Sequence, residues 1–242
     1  MSSSPATPAA LASASDPYRL LLVNGNTTAA LTGTLQAQAD AFYGPAARVH
    51  AVTAEFGPAY IASRAEFAVA AHAVLQTVTT QVERAAEPYE ACVLACFGEP
   101  GMGAVRERHG LPVVGMAESA ILTALQLGER YAIVTVGARW PGMLREYVRQ
   151  MGLQERCAGI HALPGQALDY VGYSAQSMAN VDAALRAAMA QGADVVIAAG
   201  AALAGYVGRL PAALPVPVID SYRAALAQAL ALAALGRSRR AA

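Results

Sequence analysis

The sequence predicts an α/β protein of two similar, doubly wound lobes with mostly parallel sheets, related by a pseudo-twofold axis, with a cleft between them. Three observations carry this expectation. Short apolar runs alternate with longer alanine-rich segments, the pattern of repeated βα units. Each half shows a polar or glycine turn after its first strand candidate and a small-residue turn after its third, and each closes on a short strand followed by an acid at a helix start. With 242 residues, 55% of them hydrophobic, the chain can bury a full core without disulfides or structural metal.

Residues 1–17, rich in Ser, Ala and Pro, are expected to form a disordered arm; they lack the charged start and apolar run of a secretion signal. The first lobe is expected over 18–116, with strands at Arg19–Val23, Arg48–Thr53, Ala91–Cys96 and Pro112–Gly115 and a long helix over Ile61–Arg84. The second is expected over 117–235, with strands at Tyr131–Val136, Gly159–Leu163, Asp194–Ala198 and Val216–Ile219. Its helices are placed at Met143–Met151, Gln176–Gln191 and Ser221–Leu235. Alanine favours helix by propensity, and the sparse charges mark a buried face. The chain is expected to cross between lobes near its C-terminal end and to finish in a tail over 236–242.

Composition removes several functions. All 17 basic residues are arginine, so no lysine exists for a pyridoxal-phosphate Schiff base, a phosphate-cradling loop or a lysine nucleophile. Seventeen acids balance them, and the arginines are scattered, which argues against nucleic acid as a partner. The longest apolar stretch, Ala224–Leu235, is too short for the roughly 20 residues of a spanning helix. The odd trio Cys92, Cys96 and Cys157 suggests a reduced, cytoplasmic setting. His50, His72, His109 and His161 have no metal-site spacing, and Gly98, Gly101 and Gly103 do not form a dinucleotide fingerprint, so no metal or cofactor is expected. The expected partner is a small molecule, and a homo-oligomer fits the fold class.

Parallel sheets bind ligands beyond the carboxyl ends of their strands. Cys96 stands there, where an apolar strand runs into the Gly/Pro turn Gly98-Glu99-Pro100-Gly101 and a helix. Backbone N–H groups and a helix start can lower a thiol below its free value of roughly 8.5 and make it a base or nucleophile. The competing role is a small buried hydrophobe. Cys92 has the same strand parity and is expected on the same face, further back, and packing suits it and Cys157. The turn Asn24-Gly25-Asn26-Thr27-Thr28 can hold a carboxylate or cyclic imide, or cap a helix; Thr135 shares that ambiguity. Glu118 and Asp220 suit capping or acid/base work, and Glu99 either tunes the thiol, contacts ligand or is solvated.

The chain resembles the aspartate/glutamate/hydantoin racemase superfamily, and most of all its hydantoin and allantoin racemase branch, from about Tyr18 to Leu235. The resemblance lies in Leu21-Leu22-Val23-Asn24-Gly25-Asn26-Thr27-Thr28, in Ala95-Cys96-Phe97-Gly98-Glu99-Pro100-Gly101-Met102, and in Ile133-Val134-Thr135 with Val218-Ile219-Asp220. It implies two α/β lobes, no cofactor, and a pair of cysteines exchanging a proton on opposite faces of a substrate Cα. It also implies substrate contacts at Asn24, Asn26, Thr27, Phe97, Gly98, Glu99, Thr135, Gly200 and Ala201. Two positions depart from the family pattern. The second cysteine is expected in Ala199-Gly200-Ala201-Ala202-Leu203, where Gly200 takes its place, and Gly25 stands where proline is usual.

Three readings follow. The first is a racemase or epimerase of a hydantoin-like or amino-acid-like molecule, with Cys96 on one face and water or another group on the other. The second is a single-thiol arylmalonate-type decarboxylase, whose product hand would be opposite because the thiol sits in the first half. The third is a non-catalytic descendant that binds a small anion or imide.

Overall fold

The computed structural model describes residues 16–210 and 214–241. The expected arm at 1–17 falls almost wholly outside the described residues. The first sheet contains β1 (Tyr18–Asn24), β2 (Ala47–Thr53), β3 (Ala91–Leu94) and β4 (Val113–Gly115), and the second β5 (Tyr131–Val136), β6 (Cys157–Leu163), β7 (Val195–Ala198) and β8 (Val218–Asp220). Both are wholly parallel and share one topology, β2-β1-β3-β4 and β6-β5-β7-β8. The helices are α1 (Ala29–Tyr43), α2 (Arg64–Arg84), α3 (Met102–Arg108), α4 (Met116–Leu127), α5 (Trp140–Gln150), α6 (Ala175–Ala190) and α7 (Ser221–Ala241).

The central strands explain why periodicity found them. Every residue of β3, β5 and β7 is buried, as expected of parallel strands covered by helices on both faces, so they read as continuous apolar runs. In each sheet the chain leaves the first strand to one side and returns on the other. That reversal lies between β1 and β3, and again between β5 and β7.

The two halves agree to the level of single hydrogen bonds. Val23 pairs with Leu94 and Val134 with Ala198. One residue on, Ala95 N–H donates to Val23 O at 2.9 Å and Ala199 N–H to Val134 O at 2.8 Å. Asn24 and Thr135 are therefore equivalent, and so are Cys96 and Gly200, each two residues beyond its strand.

Several expected boundaries move. β3 stops at Leu94, short of the predicted Cys96, so strand parity no longer governs the thiol. Cys92 packs with Leu21, Val23 and Val74, whereas Cys96 packs with the larger cluster on the other side of the sheet, contrary to a shared face. α2 begins at Arg64 rather than Ile61 because Ser63 caps it: Ser63 Oγ accepts from Glu66 N–H at 3.3 Å, and the Glu66 carboxylate accepts from Ala62 N–H at 2.7 Å. The predicted tail is helical through Ala241, because α7 returns to the first lobe. There Tyr222 Oη donates to Leu35 O at 2.7 Å, Tyr43 Oη to Leu226 O at 2.8 Å, and Arg237 pairs with Glu90 and lies 3.8 Å over the Tyr18 ring.

No helix among the described residues is long and apolar enough to cross a membrane. The described residues contain no cluster of three or more His, Cys, Asp or Glu suited to a metal ion.

Candidate active site

A cavity of about 30 Å³ lies where the carboxyl ends of the two sheets meet. The first lobe supplies Asn26, Cys96 and Phe97 to its wall, the second Thr135, Gly200 and Ala201, and Tyr60, Ile61 and Trp140 are among the other lining residues. Such a volume admits a water or two and excludes a ring-sized ligand.

Cys96 is half-buried, with its exposed part toward the cavity. Its thiol is pushed up to about 12, first by burial and then by the negative charge of Glu99. The Glu99 backbone N–H favours the thiolate but is outweighed. The lowering expected from a nearby helix start does not prevail, since α3 begins only at Met102. The resting group is a thiol, ready to donate a proton.

The turn after β1 is held by side chains, not by proline. Asn24 is fully buried, and its Nδ2 donates to Asn26 Oδ1 at 3.0 Å and Thr32 Oγ1 at 3.0 Å. Asn26 Oδ1 also accepts from Thr28 N–H at 3.0 Å, which fixes the amide so that Nδ2 is left to donate elsewhere. Thr135 is buried at the cavity wall, and its hydroxyl likewise has no protein partner among the described residues. Gly200 has φ +102°, and a Cβ built there would meet only Phe97 Cβ, at 3.9 Å. The wall at Gly200 is therefore bare.

A family model described as Asp/Glu/Hydantoin racemase matches residues 20–229. The chain belongs to that family. It is 34% identical over 224 residues to a hydantoin racemase of Paenarthrobacter aurescens, covering 90% of this chain and 92% of the relative. Among solved structures, an allantoin racemase from Klebsiella pneumoniae superposes with a TM-score of 0.83 at 32% identity, covering 90% of this chain and 89% of the other. An allantoin racemase from Pseudomonas fluorescens gives 0.80 at 31% identity, with 90% and 92% covered.

Not every candidate in this racemase-family chain reaches the cavity. Asn24 stands behind the wall as an organiser of the turn, and Thr27 is half-buried beside it, its N–H donating to Pro58 O at 3.0 Å. Gly98 opens instead onto a neighbouring chamber of about 140 Å³, beyond Trp140. Glu99 turns away from the cavity. It is 4% exposed, and its carboxylate accepts from Glu118 N–H at 2.8 Å and from Tyr147 Oη on α5. Burial still raises it from an ordinary 4.5 to about 6. A Cβ on Gly115 would stand 1.9 Å from Glu99 Cδ, so glycine there makes room for this carboxylate.

Glu118 and Asp220 are taken up by structural contacts. Glu118 pairs with Arg106 in the first turn of α4. Asp220 Oδ1 accepts from Tyr222 N–H at 3.0 Å and Arg223 N–H at 3.3 Å at the start of α7, while Oδ2 accepts from Gly205 N–H at 2.7 Å. Cys92 is pushed up to about 12 by burial in the core, and Cys157 Sγ faces Gly159 O at 3.7 Å at the start of β6, so both are packing residues.

The lining residues that the sequence reading did not single out include Leu31, Tyr60, Ile61 and Trp140. The Ser63–Glu66 spacing signals where α2 starts and would have left Tyr60 and Ile61 in a loop at the strand ends. Trp140 is the chain's single tryptophan, and its Nε1–H donates to Ile61 O at 3.1 Å across the lobes.

Proposed function

We propose that the chain catalyses cofactor-independent proton transfer at the Cα of a hydantoin-like or amino-acid-like small molecule, with Cys96 as the acid/base. The observation that carries this is the Cys96 thiol in the wall of the cavity between the carboxyl ends of both sheets. The similarity to named hydantoin and allantoin racemases favours a cyclic imide or ureide.

In this reading Asn26 Nδ2 and the Thr135 hydroxyl hydrogen-bond the carbonyl oxygen next to the stereocentre, where charge develops as the α-proton leaves. Preorganised donors in a water-poor site are worth most at that moment. The thiol must first become thiolate to act as base, so its raised value slows the base role near neutral pH. The three cysteines are unpaired, which suits a cytoplasmic setting.

The test is inversion of enantiomerically pure 5-substituted hydantoins and allantoin, followed by circular dichroism. Loss of optical activity at a protein-dependent rate is expected. A folded protein that inverts none of them, nor aspartate or glutamate, ends this reading.

The bare wall at Gly200 and the resting thiol favour a second reading, the single-thiol decarboxylase. There loss of carbon dioxide generates the enediolate, and a single donor suffices. Carbon dioxide release from an arylmalonate without racemisation would move the assignment to it.

A further inference from the structure

We propose that the Tyr60 phenol is the second proton-transfer group of the reaction, acting across the cavity from Cys96 at the wall that Gly200 leaves bare. The inference rests on the racemase reading above.

Inversion needs a proton carrier on each face of the substrate. Among the described residues lining the cavity, only Cys96 and Tyr60 have titratable side chains. The position equivalent to Cys96 is Gly200, which offers open space and no group. Tyr60 comes from the first-lobe loop between β2 and α2, yet its ring packs with the second-lobe cluster that includes Val136, Leu163 and Ala167. Cys96 packs with the other large cluster. The two groups thus enter one cavity from different supports. They are close enough for the charge of Cys96 to act on Tyr60: burial first and then that charge push the phenol up, against a hydrogen bond with Trp140, so Tyr60 rests as the protonated donor.

The Cys96 thiolate takes the α-proton, forming S–H and breaking Cα–H, and the electron pair passes into the adjacent carbonyl to give the enolate. The Tyr60 O–H then breaks, its proton forms the new Cα–H on the opposite face as the pair returns to carbon, and phenolate remains. Water returns a proton to Tyr60 and removes one from Cys96. The opposite enantiomer runs the sequence in reverse.

The test uses each enantiomer of 5-benzylhydantoin in D₂O, with the uncatalysed rate subtracted. Proton NMR reads exchange of the α-hydrogen and circular dichroism reads inversion. Wild type should exchange and invert both enantiomers. Tyr60→Phe, which removes one hydroxyl, should invert them about 10²- to 10⁴-fold more slowly. It should still exchange the enantiomer whose α-hydrogen faces Cys96 at within threefold of the wild-type rate, with retention, because Cys96 can return a deuteron to its own face. Inversion within threefold of wild type in Tyr60→Phe overturns the proposal. So does an equal fall in exchange and inversion with an unchanged melting temperature, which marks a ring that only shapes the pocket. Wild type that neither exchanges nor inverts overturns the racemase reading as well, and is distinguished by inactivity before any substitution.

Discussion

A thiol held near 12 and a glycine with φ +102° set the residue-scale chemistry. Cys96→Ser keeps the shape and removes the tunable acid, so turnover should fall by at least about 10²-fold with the melting temperature nearly unchanged; unaltered kinetics would refute the assignment. If Cys96 works as thiolate, racemisation below pH 12 should climb about tenfold per pH unit, because the reactive fraction does. The charge that acts on it is Glu99, ionised above about 6, and its own charge acts in turn on Tyr60. A rate that is flat between pH 7 and 9 would instead indicate the thiol as donor, the form the decarboxylase needs. Gly200→Cys would restore a second thiol in open space, at a backbone cost of about 1–3 kcal/mol for a side chain at positive φ. The expected result is a lower melting temperature with faster inversion; a folded variant without the gain would mean that Gly200 does not face the substrate.

In the β3–α3 turn Glu99 adopts φ +61° and reaches the start of α4 and Tyr147 on α5. Its carboxyl is raised from 4.5 to about 6, so ionisation is penalised in the folded protein. The associated stability is present below pH 4.5 and is lost as pH rises through about 6, a difference of about 2 kcal/mol. Urea unfolding of wild type and Glu99→Gln from pH 4 to 7 should show the gap between them changing by that amount; a constant gap would mean that the buried charge carries no such penalty. Glu99 was legible as a turn residue beside the thiol, but its true task was not. Nothing local in the sequence says that Gly115, sixteen positions on, leaves the space it fills.

Trp140 is one of several residues that link the two lobes. It bonds Ile61 across the lobes and stands between the strand-end cavity of about 30 Å³ and the chamber of about 140 Å³. Trp140→Ala should join the two, cost about 3–5 kcal/mol in stability, and widen the range of side chains accepted. Steady-state rates with hydantoins of increasing substituent size would check this; an unchanged size preference would mean that substrate never approaches the tryptophan.

The fold was written in the sequence because its central strands β3, β5 and β7 are wholly buried and its long helices α2, α6 and α7 are alanine-rich, signals that survive without any partner. Asn26, Cys96, Phe97, Thr135, Gly200 and Ala201 were legible for a related reason: a parallel sheet directs attention to its strand ends. Tertiary structure alone decided which strand-end residues look inward. An ion pair with Arg106 consumes Glu118, capping consumes Asp220, a buried clamp consumes Glu99, and a loop from one lobe settles on the other to bring in Tyr60. Those outcomes depend on hydrogen bonds and packing between segments far apart in the chain, which no local pattern encodes.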